Sequence, residues 1–385
     1  MIFSVSHKGG RGWRPGFFLK LGLTALLGFP MAAWASPMGT PIDIPARATV
    51  VLSTEKTALA SATNTASPQA LISPAALAQA LRELIDQSRA TGSPRPLGLA
   101  VGLLDRLPQT QWTADVYLMR ATIRQRLHRF DQAEADLDQV LQRQPDNLQA
   151  WLTRYSIALV RDDLVAAGSA CNELEQRSLT LLAESCKQEL ASFAAQPNTA
   201  FERLRQALEL SSSASAIERD YVLVTLADMA TRLDLPEAGI YWQRALLQNS
   251  DDLYRRARYA DWLLSQGQDE KALEVTRGFD EVDTLAVLQA IAMTRLKHPE
   301  QPRLVGDLEE RFAEARWRGE FLHQWEYARF LLDVKGDAQA AFLTAQANWK
   351  TQRAQPDREL LIRAAAIAGK PDGLDDSARD GGPLL

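Results

Sequence analysis

The feature that most constrains this chain is a beat of small residues spaced 34 apart. With Ala133, in the stretch DQAEADLDQVL, as reference, steps of 34 reach Ala167 and then Phe201, beside Ala200. Three additional residues intervene where SSSAS lies, and the beat resumes at Ala238, Ala272, Gly306 and Ala340. A second small residue precedes several of these by 12, at Ala121, Ala260 and Ala328. A fixed period of this length is the signature of a repeat array. Two helices of a hairpin cross closely at one point, where a bulky side chain would hold them apart; Ala at both positions allows an approach of about 8–10 Å. One hairpin alone leaves an apolar face bare, so neighbours must stack on it and the array becomes a continuous core.

Amphipathic segments of 12 to 16 residues, separated by short breaks, run from Ser73 to about Gly369. Ser73 reads as a helix N-cap with Pro74 at the first helical position, and Gly369 with Pro371 reads as a stop. Ala, Leu, Gln, Arg and Glu, all good helix formers, dominate, and strand-type runs of Val, Ile and Thr are scarce. Hydrophobic residues make up 46% of the chain, enough to fill a core. The expected fold class is all-α.

The segment from Ala114 to Pro145 carries a more specific pattern. Tyr117 and Ala121 supply an aromatic and a small residue in a first helix, Ala133 and Leu137 sit in a second, and Pro145 closes the unit. The next unit gives Trp151, Tyr155, Ala167, Cys171 and Leu174 at matching places. Two later ones give Tyr259-Ala260, Gly267 and Ala272, then Tyr327-Ala328, Gly336 and Ala340, the last glycine falling one residue late. This pattern resembles the tetratricopeptide repeat. The resemblance covers about 115–350, strongly in four units. Units near 178–210 and 287–319 are degenerate, the former without the aromatic and small pair, and 74–108 reads as a further divergent hairpin.

The resemblance implies a right-handed α-solenoid of stacked helix-turn-helix repeats. The first helix of each hairpin would line a concave groove that docks an extended peptide or a helix. Family geometry then points Leu118, Thr122 and Gln125 into the groove, followed by Leu152 and Ser156, and later by Tyr254, Ala257 and Asp261. These are mixed in character and form no charge clamp for a peptide carboxylate. Trp151, Trp242 and Trp262 fall at core spacing; Trp325, in the last hairpin, becomes a natural anchor for a partner if exposed.

The N-terminus has the three parts of a secretory signal. Lys8 to Lys20 is the positive region, Leu21 to Trp34 the apolar region, and Ala33-Trp34-Ala35 the small-residue site before Ser36. The apolar stretch is too short to span a bilayer, which takes about 20 residues; the alternative to cleavage is an uncleaved anchor. No Cys follows it to accept a lipid. The expected division is 1–35 signal peptide, 36–72 flexible leader, 73–370 repeat domain and 371–385 loose tail, with the mature chain soluble in a bacterial periplasm. Cys171 and Cys186, the only cysteines, suit an oxidising compartment. They flank an inter-helix turn near 177–180, so either a bridge between antiparallel helices or two buried thiols fits.

Other chemistry is thin. The formal net charge of −5 becomes −9 once the first 35 residues, with four bases and no acid, are removed. Such a chain, with Arg interleaved among acids, is a poor match for nucleic acid, whose binding rests on phosphate neutralisation. No zinc motif, nucleophile elbow, phosphate loop or dinucleotide fingerprint appears, and His128, His298 and His323 are isolated. Asp162-Asp163 and Asp251-Asp252 fall at turns or helix starts, where carboxylates complement the helix dipole. No catalytic residue, metal or cofactor is assigned. The expected function is an exported non-enzymatic scaffold for a protein or peptide partner in envelope or secretion-complex assembly. A self-associating structural array, hence a homo-oligomer, and an enzyme with an unrecognised site stand as alternatives.

Overall fold

A computed structural model describes residues 72–177, 181–194, 196–319 and 324–371, all within one compact unit. The signal peptide, nearly all of the leader, the tail beyond 371, and His323 lie outside the described residues. Within them the chain is a succession of helical hairpins. The first four are α1 (Pro74–Thr91) with α2 (Arg95–Leu104), α3 (Ala114–Arg126) with α4 (Phe130–Arg143), α5 (Leu148–Val160) with α6 (Leu164–Arg177), and α7 (Leu181–Ala191) with α8 (Pro197–Leu210). Then come α9 (Ala216–Arg232) with α10 (Ala238–Gln248), α11 (Leu253–Ser265) with α12 (Asp269–Thr276), and α13 (Asp283–Leu296) with α14 (Gln301–Trp317). The last pair is α15 (Gln324–Phe330), continued by a π-helical stretch at Leu331–Lys335, with α16 (Ala338–Trp349); α17 (Gln355–Ile367) closes the array. The described residues contain no strand. The protein is an all-α solenoid.

The stacking follows from the small-residue beat. Ala121 and Ala133 are fully buried where α3 meets α4, and Ala167, Ala238, Ala260, Ala272 and Ala328 are likewise out of water. First helices pack on one another, α1 on α3, α7 on α9, α11 on α13 and α13 on α15. Beyond their own hairpin partners, second helices contact the next first helix, as α6 does α7 and α10 does α11. The first helices therefore share one side of the stack, its inner face.

Two beats depart from the expectation. Gly306 is only half-buried, and a methyl added there would meet nothing within 4 Å; that crossing does not need a small residue. At the last hairpin the buried residue is Ala341, not Ala340. The π-helical stretch preceding it inserts one extra residue into the first helix, which also explains why Gly336 arrives one place late.

The degenerate unit at 178–210 forms its hairpin by another device. Glu189 occupies the place of the small residue, is buried, and accepts a hydrogen bond of 2.9 Å from the Tyr155 hydroxyl, 34 residues earlier. The same region is tied by a disulfide between Cys171 on α6 and Cys186 on α7, Cα atoms 5.8 Å apart.

Turns inside hairpins recur in the left-handed region: Gly92, His128, Asp162, Asp234, Gly267, Lys297 and Gly336 all have φ between +50° and +70°. Only three are glycine, so four hairpins hold an ordinary side chain in a conformation that costs about 1 kcal/mol or more. Ser73 caps α1 as expected, its Oγ accepting from the Ala76 N–H at 3.2 Å, with Pro74 in the first turn.

Candidate partner-binding face

The inner face differs between its two ends. On α3, Leu118, Thr122 and Gln125 are buried, and on α5 so are Leu152 and Ser156. The Thr122 hydroxyl is turned back onto the Leu118 carbonyl at 3.0 Å. These five do not line an open groove. Parts of the array many hairpins apart touch: the Arg353 N–H donates to the Val160 carbonyl at 2.7 Å. Gly92 lies so close to α11 and α13 that a methyl on it would come within 2.8 Å of Val282 Cγ1 and 3.4 Å of Leu253 Cδ1. Asp162 sits near the first of these contacts; burial pushes its carboxyl above the usual range, and Arg358 and Arg353 offset only part of that.

On the later helices the inner residues come together. Ala257 is buried, whereas Tyr254, Asp261 and Trp325 remain half-exposed. The Tyr254 hydroxyl donates to Asp228 Oδ2 on α9 at 2.8 Å. Arg258 Nε reaches Asp228 Oδ1 at 3.2 Å and its Nη1 lies 3.8 Å from Asp261 Oδ2. Asp261 Oδ1 accepts from Arg329 Nη1 on α15 at 2.9 Å, and Arg329 Nε donates to Asp333 Oδ2 at 2.7 Å. Arg363 on α17 completes the series by pairing with Asp333. Three acids thus alternate with three arginines across α9, α11, α15 and α17. The Trp325 ring lies beside this ladder, 5.1 Å from the Arg329 guanidinium carbon, with its indole N–H 3.5 Å from the Pro356 carbonyl.

Burial and pairing compete along the ladder, and pairing prevails. Burial pulls the Arg258 guanidinium down, but Asp228, Tyr254 and Asp261 outweigh it and its pKa rises. Burial pushes Asp261 up, yet Arg329 and Arg258 hold it below the ordinary carboxylate range. Arg329, opposed by burial, is raised by Asp261 and Asp333. Pairing thus favours the charged forms of Arg258, Asp261 and Arg329. Asp357, at the start of α17, is the contrary case: burial lifts its carboxyl to about 6 despite hydrogen bonds from Asn348 and the Ala354 N–H.

The resemblance put Tyr254, Ala257 and Asp261 on the groove face, and Trp325 was named apart as an anchor if exposed; neither reading included Asp228, Arg258, Arg329, Asp333 or Arg363. A signal existed in the helical spacing of Arg258 with Asp261 and of Arg329 with Asp333, since residues three or four apart share a helix face. Among the described residues, no group of three or more His, Cys, Asp or Glu is placed to hold a metal ion. Among them, too, no helix is long and apolar enough to cross a membrane.

No family model matches the chain, and no curated protein matches it. Among solved structures, the crystal structure of the P58(IPK) TPR domain matches at 14% identity, covering 76% of this chain and 98% of that chain, with a TM-score of 0.22. A TM-score that low carries no weight, and the fold rests on the contacts within this chain.

Proposed function

We propose that the protein is an exported, non-enzymatic scaffold that binds a protein or peptide partner on the inner face of α9, α11, α15 and α17. The observation that supports this reading is the ladder of alternating charges, largely buried but open at Arg363 and flanked by the partly exposed Tyr254 and Trp325. Alternating charges reject a partner that leaves one of them desolvated and unmatched, which gives register and selectivity more than raw affinity. An aromatic ring held by packing offers contact area at small entropic cost. Export is supported by the tripartite N-terminal sequence and by the Cys171–Cys186 bridge, and a bacterial periplasm is the compartment both suit. A role in envelope or secretion-complex assembly follows from that placement.

The test is crosslinking of the mature protein in its own compartment, comparing the wild type with Trp325→Ala after circular dichroism shows the variant folded. A discrete partner adduct lost in the variant supports the reading; an adduct unchanged in the variant, or its absence from both, removes it.

A second reading, self-association, is favoured by a different observation. Large apolar side chains stand exposed on the second helices: Leu99, Val165, Leu210, Leu247, Leu343 and Trp317, the last 86% exposed. Sedimentation over a hundredfold concentration range separates the two, because only a self-associating array gains mass.

A further inference from the structure

The second helix α12 is short. It spans 8 residues, whereas the second helices of the hairpins before and after it span 11 and 17. Arg277 leaves the helical region and Gly278, at φ +83°, turns the chain away. Beyond that point a cleft of about 540 Å³ opens between α12 and α14, with Gln289 and Met293 of α13 among its lining residues.

Corresponding positions elsewhere in the array are filled. The residue matching Met293 on α5 is Arg154, which pairs with Glu134 and Asp138 on the preceding second helix. The residue matching Gln289 on α11 is Arg255, which donates to the Ala245 carbonyl in the last turn of α10 at 2.9 Å. In the α12 hairpin the position equivalent to Ala245 is Phe279, already past the helix end. Gln289 is therefore left only 4% exposed with its Oε1 unpartnered, a state that leaves the desolvation of the amide oxygen uncompensated.

We infer that this cleft is a second binding site, taking a basic side chain, arginine or lysine, presented by a polypeptide. An unpartnered amide oxygen asks for a donor. Leu273 and Met293 give the methylene stem an apolar wall, the usual way such side chains bury their stems. At the mouth, Glu281 and Glu300 are set against Arg277, while Arg303 is held by Asp280 at 2.9 Å. The mouth thus has a net negative charge. These residues are separate from the inner-face ladder, and the two sites stand or fall independently.

Met293 makes the test direct, because Met119 and Met229, the other methionines in the described residues, lie outside the cleft and serve as internal controls. The full mature chain, labelled at methionine methyls, is titrated with acetyl-arginine methylamide, acetyl-lysine methylamide and acetyl-glutamate methylamide while NMR shifts are followed. The expected result is a saturable shift of Met293 alone with the two basic probes at millimolar concentration, absent with the acidic one. Gln289→Leu is expected to weaken it at least fivefold. The exposed pair Glu281→Gln and Glu300→Gln, which does not touch the core, is expected to weaken it as well. No shift with basic probes would mean that water alone satisfies Gln289 and would overturn the inference. An equal shift with the acidic probe, or undiminished binding in the variants, would overturn it too.

Discussion

Arg255 and Gln289 occupy the same place in successive hairpins, 34 residues apart, and meet opposite fates. Arg255 is fully buried and its guanidinium is held at the Nη ends: Nη1 donates to Asp220 Oδ1 at 2.8 Å and to the Ala245 carbonyl at 2.9 Å, and Nη2 pairs with Asp220 as well, while Nε lies at ion-pair distance, 3.3 Å, from Asp252 Oδ2 without hydrogen-bond geometry. Gln289 is almost as buried and has an acceptor with nothing to accept from. The difference lies less in the residue than in the second helix it faces, which is full-length for Arg255 and curtailed for Gln289. One repeat position is a clamp where the array is regular and an opening where it is not.

The largest expected effect comes from breaking the clamp. Arg255→Met leaves the buried Asp252 and the half-buried Asp220 without their cation and is expected to cost about 3–5 kcal/mol, read as a fall in the urea midpoint. Gln289→Leu removes an unpaired group and is expected to fall within about 1 kcal/mol of wild type, on the stabilising side. A comparable loss in both variants would erase the contrast.

Close packing sharpens the comparison next. Gly239 on α10 faces Trp262, and a methyl there would sit 2.3 Å from Trp262 Cη2; the matching residue 34 later is Leu273, which lines the cleft instead. Gly239→Ala is expected to cost about 1–3 kcal/mol by overpacking, measured by thermal unfolding. Preserved stability would show that Trp262 has room to move.

A buried acid without a dedicated cation gives a smaller, pH-dependent effect. The Asp357 carboxyl titrates near 6 when folded, above its ordinary 3.8. Between those values the folded state binds the proton more tightly than the unfolded one, so this group's contribution to stability rises as pH falls from 7 toward 4. Hydrogen exchange in α17, corrected for intrinsic rates, is expected to show greater protection at pH 5 than at pH 7.5. Asp357→Asn is expected to flatten the difference, whereas a slope that survives this change would assign it to another group.

Much of this architecture is legible in the chain, for a definite reason. Steric exclusion at a hairpin crossing acts on single residues at a fixed spacing, so Ala133, Ala167, Ala238 and Ala272 announce it. The extra residue before Ala341 is absorbed by a π-helical turn, which spacing alone registers only as a late glycine. Turns at His128, Asp162, Asp234 and Lys297 take the left-handed conformation without glycine and are silent in the sequence. Of the residues proposed for binding, Tyr254, Asp261 and Trp325 stay partly exposed. Leu118, Thr122, Gln125, Leu152 and Ser156 are instead buried, Leu118 in one core with α1, α2 and α4 and Leu152 in another with helices from α6 to α10, contacts that spacing within one helix does not record. The ladder was missed for a related reason: Arg329 meets Asp261 from 68 residues away.

The stacking depends on small side chains at the hairpin crossings, and α4 offers both the site and its control. Ala133 is buried where α4 crosses α3, while Ala135, two residues on, is exposed. Thermal unfolding of Ala133→Leu and Ala135→Leu compares the same chemistry on the same helix. Ala133→Leu is expected to lose about 1–3 kcal/mol and Ala135→Leu to stay within about 0.5 kcal/mol of wild type. Equal stability of the two variants would contradict the account.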